Sequence, residues 1–232
     1  MKKLLFATAG IMLSLSAMAG TNGLKSMQGG KGINNGFYLN LGFGFPSAVF
    51  RYDGGGSNAQ TMGFQPNLEI GNQWYFVKQE KIGFGIKVSW LQFGYSAYKP
   101  VAYSNGYSYQ TNIYTKNTSN IDLRLIKIAP QFTLGLNEDM ALDFSVEVAP
   151  TFMIGGNSQV GANYGYVARG VLFAPGARFR VKKFAVGVDF SLGSLAFDEK
   201  RDVTDYSGNT KTVDKSGKMS VFIPRIYVGF KF

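Results

Sequence analysis

The sequence predicts an all-β chain that forms a closed, transmembrane, up-and-down antiparallel β-barrel of eight strands. Three observations support this fold class: eight segments alternate apolar with small or polar residues, short and long turns alternate between them, and the N-terminus has the features of an export signal. A period of two residues is the geometry of an extended strand whose two faces contact different surroundings.

The first 19 residues are typical of a secretory signal peptide. Two lysines are followed by an apolar stretch from Leu4 to Leu15, and Ala17-Met18-Ala19 offers a cleavage site. Removal of this segment takes away two of the 24 basic residues and, against 14 acids, leaves a formal charge of +8, which in an exported protein favours anionic lipid over nucleic acid as a partner. We therefore expect a signal peptide at 1–19, a flexible periplasmic segment at 20–35 and an outer-membrane barrel domain at 36–232.

The strands follow in order. The first three alternate over 37–45, 64–74 and 82–90, whereas the fourth changes phase between Leu125 and Ile126, which predicts a β-bulge with one extra residue. The fifth is the most regular, and the last three repeat its pattern. The eight predicted strands are Gly36–Phe50, Met62–Phe76, Ile82–Tyr98, Asn120–Leu136, Leu142–Ile154, Tyr166–Val181, Phe184–Phe197 and Met219–Phe232.

Connection lengths orient the barrel. Short periplasmic turns and long outer loops are typical of membrane barrels, and an even strand number places both termini on the periplasmic side. The strands exceed the roughly 9–11 residues needed to cross a bilayer, so we expect them to project beyond the outer surface. Short turns are predicted at 77–81, 137–139 and 182–183, and long polar loops at 46–61, 99–119, 155–165 and 198–218.

The composition of the two faces indicates which one meets lipid. The polar face carries mainly Gly, Ala, Ser, Thr and Asn, which a narrow barrel can hold inside. Lys and Arg are nearly missing from the apolar face, where each costs about 2–4 kcal/mol at the bilayer midplane. The apolar face is therefore predicted to point outward.

Ten charged residues of the polar face are predicted to form a charge network in the lumen. Buried charges need partners, so one hypothesis is a structural ion-pair network that fills the barrel. The other is a gate or a narrow solute path with a slight preference for anions, because six bases face four acids. The ten residues are Glu69, Lys87, Lys127, Asp143, Glu147, Arg178, Arg180, Asp189, Arg225 and Lys231.

The chain contains no His and no Cys, which excludes His-dependent catalysis and any His/Cys metal site. We expect no catalytic residues, no cofactor and no enzymatic activity. A Tyr-rich stretch in the second long loop is a candidate surface for an extracellular ligand, since Tyr binds at low entropic cost; the alternative is an outer aromatic girdle. Its central members are Tyr103, Tyr107, Tyr109 and Tyr114.

Two motifs carry a family resemblance over residues 36–232. The chain closes on Tyr227-Val228-Gly229-Phe230-Lys231-Phe232, and Pro-x-x-x-x-Gly runs recur at Pro66–Gly71, Pro130–Gly135, Pro150–Gly155 and Pro224–Gly229. The sequence thereby resembles the small OmpA/OmpX-type outer-membrane barrels, and the Pro-containing runs are most similar to the "porin family" barrels of Bacteroidota.

The resemblance implies a place in the outer membrane of a Gram-negative bacterium, after export through the general secretory pathway with periplasmic chaperones. It also implies contact with lipopolysaccharide, a monomeric state, and an assembly signal at Tyr227, Phe230 and Phe232 that the barrel-assembly machinery reads. The family is functionally mixed. We expect a non-enzymatic envelope-structural or surface-interaction role; the alternatives are a narrow channel for small solutes and, disfavoured by the missing His, a lipid-modifying enzyme.

Overall fold

The computed structural model describes residues 33–79, 81–98, 117–159, 162–204 and 207–232. All regular structure in these residues is β-strand. The strands are β1 (Gly36–Gly44), β2 (Ser47–Tyr52), β3 (Ser57–Thr61), β4 (Gln65–Lys78), β5 (Ile82–Tyr98), β6 (Asn117–Gly135), β7 (Met140–Gln159), β8 (Ala162–Val181), β9 (Phe184–Thr204) and β10 (Thr210–Lys231).

Eight of these strands form a closed ring. The order is β1-β4-β5-β6-β7-β8-β9-β10, every neighbouring pair is antiparallel, and β1 returns to pair with β10 from Tyr38↔Lys231 to Gly44↔Arg225. The prediction of a closed, eight-stranded antiparallel barrel is therefore confirmed. We call the end with the short turns the periplasmic end, and the other the outer end.

The predicted loop at 46–61 is wrong, because it contains the β2–β3 hairpin. β2 continues the path of β1 along β10, from Ser47↔Phe222 to Tyr52↔Gly217, and β3 pairs with β2 alone. Backbone hydrogen bonds span the break: the Phe45 amide donates to the Pro224 carbonyl at 3.0 Å, and the Met62 amide to the Pro46 carbonyl at 2.9 Å. β2 thus extends the first strand of the ring outward, and β3 lies beside β2 at the outer end.

The strands also run further outward than the sequence predicted. β7 and β8 remain paired up to Gln159↔Ala162, and β9 and β10 up to Thr204↔Thr210, so most of the predicted loops at 155–165 and 198–218 are strand. Both faces of these extensions are polar, so the sequence there shows no alternation of apolar and polar residues. The hydrogen bonds between the strands nevertheless continue. The predicted signal peptide at 1–19 lies outside the described residues.

A β-bulge lies in β6 where the sequence changes phase. Arg124 pairs with Thr151 and Ile128 with Val148, so β6 has one residue more than β7 between these pairs. Leu125 and Ile126 both point outward, and Ile126 has a φ of 54°. Because of the bulge, the polar residues before and after it all point into the lumen, as Asp122 and Lys127 do.

Residues 33–35, which the sequence analysis assigned to the N-terminal segment, contact the barrel at its periplasmic end. The Ile33 side chain is fully buried, and the amide of Tyr75 donates to Asn35 Oδ1 at 2.8 Å. Gln73 donates to the Asn34 carbonyl at 3.3 Å. These residues cover part of the lumen opening.

Candidate functional site

The lumen is the candidate site, since the strands place the polar faces of the whole barrel inside it. All ten charged residues that the sequence assigned to the lumen are buried there, none more than 9% exposed. Nine of them form ion pairs with one another, while Lys231 forms none among the described residues. The nine fall into two layers.

The central layer consists of Glu69, Lys87, Lys127, Glu147, Asp189 and Arg225. Glu69 lies in its middle, with carboxylate oxygens 3.1 Å from the ammonium groups of both Lys87 and Lys127 and 2.8 Å from Arg225 Nη2. Glu147 binds the same two lysines from the opposite side, at 2.6 Å from Lys87. Three acids therefore face three bases, and the layer is formally neutral.

The periplasmic layer is built around Asp143. Its carboxylate accepts hydrogen bonds from Arg178 Nε at 2.9 Å, Arg180 Nε at 2.6 Å and the Thr133 hydroxyl at 2.6 Å. Arg180 also donates to the Tyr75 hydroxyl at 3.2 Å, which joins β8 to β4 on the opposite side of the ring. Lys231 lies at the edge of this layer and donates to the carbonyl oxygen of Asn34.

An upper polar layer was missed in the sequence analysis. Asp122 and Arg124 are buried, with Arg124 Nη2 2.7 Å from the Asp122 carboxylate and Arg124 Nη1 2.5 Å from the Ser191 hydroxyl across the lumen. Both residues alternate with Ile121, Leu123 and Leu125, and this signal was available in the sequence. Asn120, one level higher, accepts a hydrogen bond from the Tyr166 hydroxyl at 3.1 Å.

The outer end of the lumen is apolar, contrary to the rule that apolar residues face lipid. Phe50 is fully buried there, with its ring centroid 5.2 Å from those of both Tyr166 and Phe197. Above the bilayer the outside of the barrel meets water, so apolar side chains are stable inside instead. The other buried members of this outer core are Ala48, Met62, Met153, Ala168, Leu172, Leu195, Met219, Val221 and Ile223.

Polar contacts hold the strands together above the outer core. Tyr52 donates to Glu199 at 3.1 Å, and Arg201 Nη2 lies 3.0 Å from the same carboxylate group. The Arg201 guanidinium stacks on the Tyr164 ring at 4.1 Å, an arrangement that stabilises partly exposed charge. The outer strand ends are thus cross-linked by side chains.

These layers bridge the ring on its lumen side at four successive levels. From the periplasmic end, the bridging contacts are Arg180–Tyr75, Arg225–Glu69, Arg124–Ser191 and Phe50–Tyr166. Each joins strands that are not neighbours in the ring. The carboxylates of the three polar layers are engaged by buried bases, so the arrangement is suited to stability and leaves no acid prepared for proton transfer among these residues.

The predicted assembly residues lie on two faces. Tyr227 points into the lumen and is buried, whereas Phe230 and Phe232 point outward with ring centroids 5.0 Å apart. Phe184 and Phe37 extend this aromatic group along the periplasmic rim. The four tyrosines predicted as a loop interaction surface lie outside the described residues: Tyr103, Tyr107, Tyr109 and Tyr114.

The outside of the barrel carries a continuous apolar band. On β9, Phe184, Val186, Val188, Phe190 and Leu192 all point outward and are exposed, and the next outward residue is a serine. Nine positions from 184 to 192 match the roughly 9–11 residues that a tilted strand needs to cross a bilayer. A band of this extent is stable only against lipid.

One polar side chain within the band is shielded. Asn72 points outward on β4 but is buried, and its Oδ1 accepts a hydrogen bond from Trp90 Nε1 at 2.8 Å. Trp90 is the extra residue of a bulge in β5, and its ring meets that of Trp74. None of the described residues forms a helix long and apolar enough to span a membrane.

No protein-family model matches this sequence, and no curated protein matches it either. Solved structures do. The outer membrane protease OmpT from Escherichia coli is 7% identical, with 85% of this chain and 96% of that chain covered and a TM-score of 0.50. A major outer membrane protein from Thermus thermophilus is 13% identical (83% and 99% covered, TM-score 0.46), and Neisserial surface protein A is 11% identical (86% and 100% covered, TM-score 0.41). The chain has the fold of an outer-membrane β-barrel.

Proposed function

We propose that this protein is a non-enzymatic, non-conducting barrel that is anchored in the outer membrane and presents its extended strand ends as an extracellular surface. The observation that carries the proposal is that side-chain contacts bridge non-neighbouring strands on the lumen side at four levels. Four independent barriers oppose ion flow more effectively than one constriction, because opening any one of them leaves the other three. The narrow-channel alternative has no comparable support.

Export through the general secretory pathway, residence in a Gram-negative outer membrane, and membership of the Bacteroidota porin family are part of the same proposal. The apolar band and the shared fold support the location, and the Pro-x-x-x-x-Gly runs support the family. The protease activity in the name of OmpT is not transferred, because 7% identity indicates the fold alone and this chain has no His to serve as a base.

Planar-bilayer recording of the refolded full barrel tests the closed lumen. We expect no discrete current steps from the native sequence or from Arg178→Ala, which removes the contacts of Arg178 with Asp143 and Gln73 in one layer and leaves three layers intact. An established porin recorded in the same bilayers shows that steps are detectable, and the shift of folded protein on unheated gels shows that the barrel is intact. Reproducible steps from the folded native protein would contradict the proposal.

A row of basic residues suggests the lipid partner of the outer surface. Arg51 and Lys218 lie directly opposite each other on β2 and β10, and Lys218 and Arg169 both pair with Ala196 of β9. All three are exposed on the outside, and Phe222 lies in the band below. We call Arg51, Lys218 and Arg169 the basic row.

Like charges directly opposite each other destabilise a sheet, so a bound anion would stabilise the basic row by offsetting this repulsion. Asp198 pairs with Arg169 at 3.6 Å, but no ion pair among the described residues includes Arg51 or Lys218. At the outer edge of the apolar band, the anions available are the phosphates of lipopolysaccharide. We therefore propose that the basic row binds them.

Binding of fluorescent lipid A to the barrel in neutral detergent tests this partner. Each base near an anionic surface contributes about 1 kcal/mol, so Arg51→Gln with Lys218→Gln should weaken binding by about 10- to 30-fold. The matched control is Lys78→Gln with Lys81→Gln, which removes the same charge from a periplasmic turn and should leave the affinity unchanged. Equal affinities of the two double variants would contradict the assignment.

A further inference from the structure

The buried charges of the lumen are not balanced layer by layer. The central layer has three acids and three bases, and the upper layer has Asp122 with Arg124. The periplasmic layer, by contrast, has one acid, Asp143, and three bases, Arg178, Arg180 and Lys231. The whole excess of buried positive charge in these layers is therefore located at the periplasmic end.

Lys231 is the base of the periplasmic layer that has no ion-pair partner among the described residues. Its side chain is 9% exposed, and no ion pair among the described residues joins it to a carboxylate, the terminal one included. Its charged neighbours include Arg180, Arg178 and Lys78, together with the acid Asp143. Its hydrogen bond to the Asn34 carbonyl uses one of three ammonium protons.

The structure offers room for a negative charge next to this ammonium group. A pocket of about 300 Å³ opens at the periplasmic mouth, lined by Arg180, Lys231 and, at its rim, Lys182 and Lys183. Phe232 forms the wall toward the apolar band. The pocket thus reaches from the buried bases to the level where lipid headgroups meet the barrel.

The acids that the structure describes at this pocket do not fill this role. Asp139 lies on the pocket rim but is exposed and pairs with Lys182 at 3.7 Å. Glu138 also lies on the rim. Around the pocket as a whole, four bases still outnumber these two acids. Residues 1–32 contain no Asp or Glu. A buried charge without a partner is costly, so the site favours a negative charge supplied by another molecule.

We propose that the periplasmic mouth is a phosphate-binding site, with Lys231 and Arg180 at its base and Lys183 at its rim. Phosphate matches the site in charge, because the layer has an excess of two positive charges, and in hydrogen bonding, because Lys and Arg supply only donors. The source is either a soluble phosphate or the headgroup of a phospholipid in the inner leaflet, whose acyl chains would lie against Phe232.

Thermal unfolding of the refolded full barrel in uncharged detergent and chloride buffer provides the first test. Lys231→Met should have a Tm equal to or above that of the native protein, because it removes an uncompensated buried charge and keeps the length of the side chain. Lys87→Met, the matched control in the neutral central layer, should lower the Tm. A fall of the Tm in Lys231→Met as large as in Lys87→Met would overturn the proposal.

Addition of ligand provides the second test and distinguishes the two sources. Inorganic phosphate, at constant ionic strength, should raise the Tm of the native protein in a saturable manner and leave that of Lys231→Met unchanged. In a parallel series, a saturable rise with phosphatidylglycerol in the micelles but not with diacylglycerol identifies the headgroup, and a rise with inorganic phosphate alone identifies a soluble ligand.

Lys183→Gln, which is on the surface and should fold normally, should weaken the response several-fold. No rise of the native Tm with either phosphate source would overturn the proposal.

Discussion

Neutralising Glu69 is the most informative perturbation of the lumen. This carboxylate is fully buried and contacts three bases, with the nearest distances 3.1 Å to Lys87, 3.1 Å to Lys127 and 2.8 Å to Arg225, and the Tyr38 hydroxyl donates to it at 3.1 Å. Glu69→Gln preserves the size of the side chain. It leaves three bases in the central layer against two acids.

The expected cost follows from this imbalance. Removal of one partner from a buried ion pair typically costs about 3–5 kcal/mol, because the remaining charge stays desolvated without compensation. We expect Glu69→Gln to lower the free energy of unfolding by that amount, measured by urea or guanidinium titration in detergent with the gel shift of the folded barrel as readout. Adding Lys87→Met restores two acids against two bases and should recover part of the loss.

The surface pair of Asp198 and Arg169 is the control. Their side chains are 69% and 68% exposed, so Asp198→Asn should cost about 0–1 kcal/mol, as is usual for solvent-exposed ion pairs. If Glu69→Gln costs no more than Asp198→Asn, the central layer does not stabilise the barrel as its contacts suggest.

Three further predictions concern the outer core, the hairpin and the bulge. Phe50→Ala should cost about 3–5 kcal/mol in urea unfolding, because the ring packs against two aromatic rings at 5.2 Å; a cost below about 1 kcal/mol would show that the outer core is loosely packed. Gly217→Ala should lower the midpoint of unfolding, since a Cβ there would lie 2.0 Å from the Arg51 carbonyl oxygen, whereas Gly165→Ala meets open space and should not. Deletion of Ile126 should abolish refolding, because it turns the strand before it inside out, while Ile126→Gly, which suits a φ of 54°, should refold; a folded deletion variant would contradict the role of the bulge.

The sequence alone was sufficient to predict the barrel and most of its lumen charges. Wherever a strand crosses the bilayer, one face meets hydrocarbon and the other the lumen, so the two faces differ sharply and the period of two is visible. Residues such as Asp143, Glu147 and Asp189 were assigned to the lumen for this reason, and all three are buried there. Their pairing across the ring depends on which strands oppose each other, which a linear pattern does not contain.

The predictions failed where this contrast disappears. Above the bilayer the outside of the barrel faces water, and apolar residues such as Phe197 and Leu195 turn inward, opposite to the rule that holds below. The predicted first strand ended at Phe50 and the rest of the β2–β3 hairpin was read as a loop, because three consecutive glycines interrupt the alternation there, although β2 follows β10 without leaving the sheet. The excess of positive charge at the periplasmic end depends on which charged residues lie in the same layer, and the linear sequence does not contain this grouping.

The contact of Arg225 with Glu69 has a consequence for how the barrel closes. It reaches from β10 to β4 and passes over β1, the strand that forms the seam, while Arg225 pairs with Asp189 of β9 on the other side. Alternation of apolar residues rejects a slip of one residue at the seam but tolerates a slip of two, which moves a strand by about 7 Å and keeps every side chain on its face. Such a slip would separate Arg225 from its partners in the central layer. Several registers therefore share the same hydrophobic pattern, and the buried charges favour one of them. Only in that register does the last strand bring Arg225 next to its acidic partners on both sides as the ring closes.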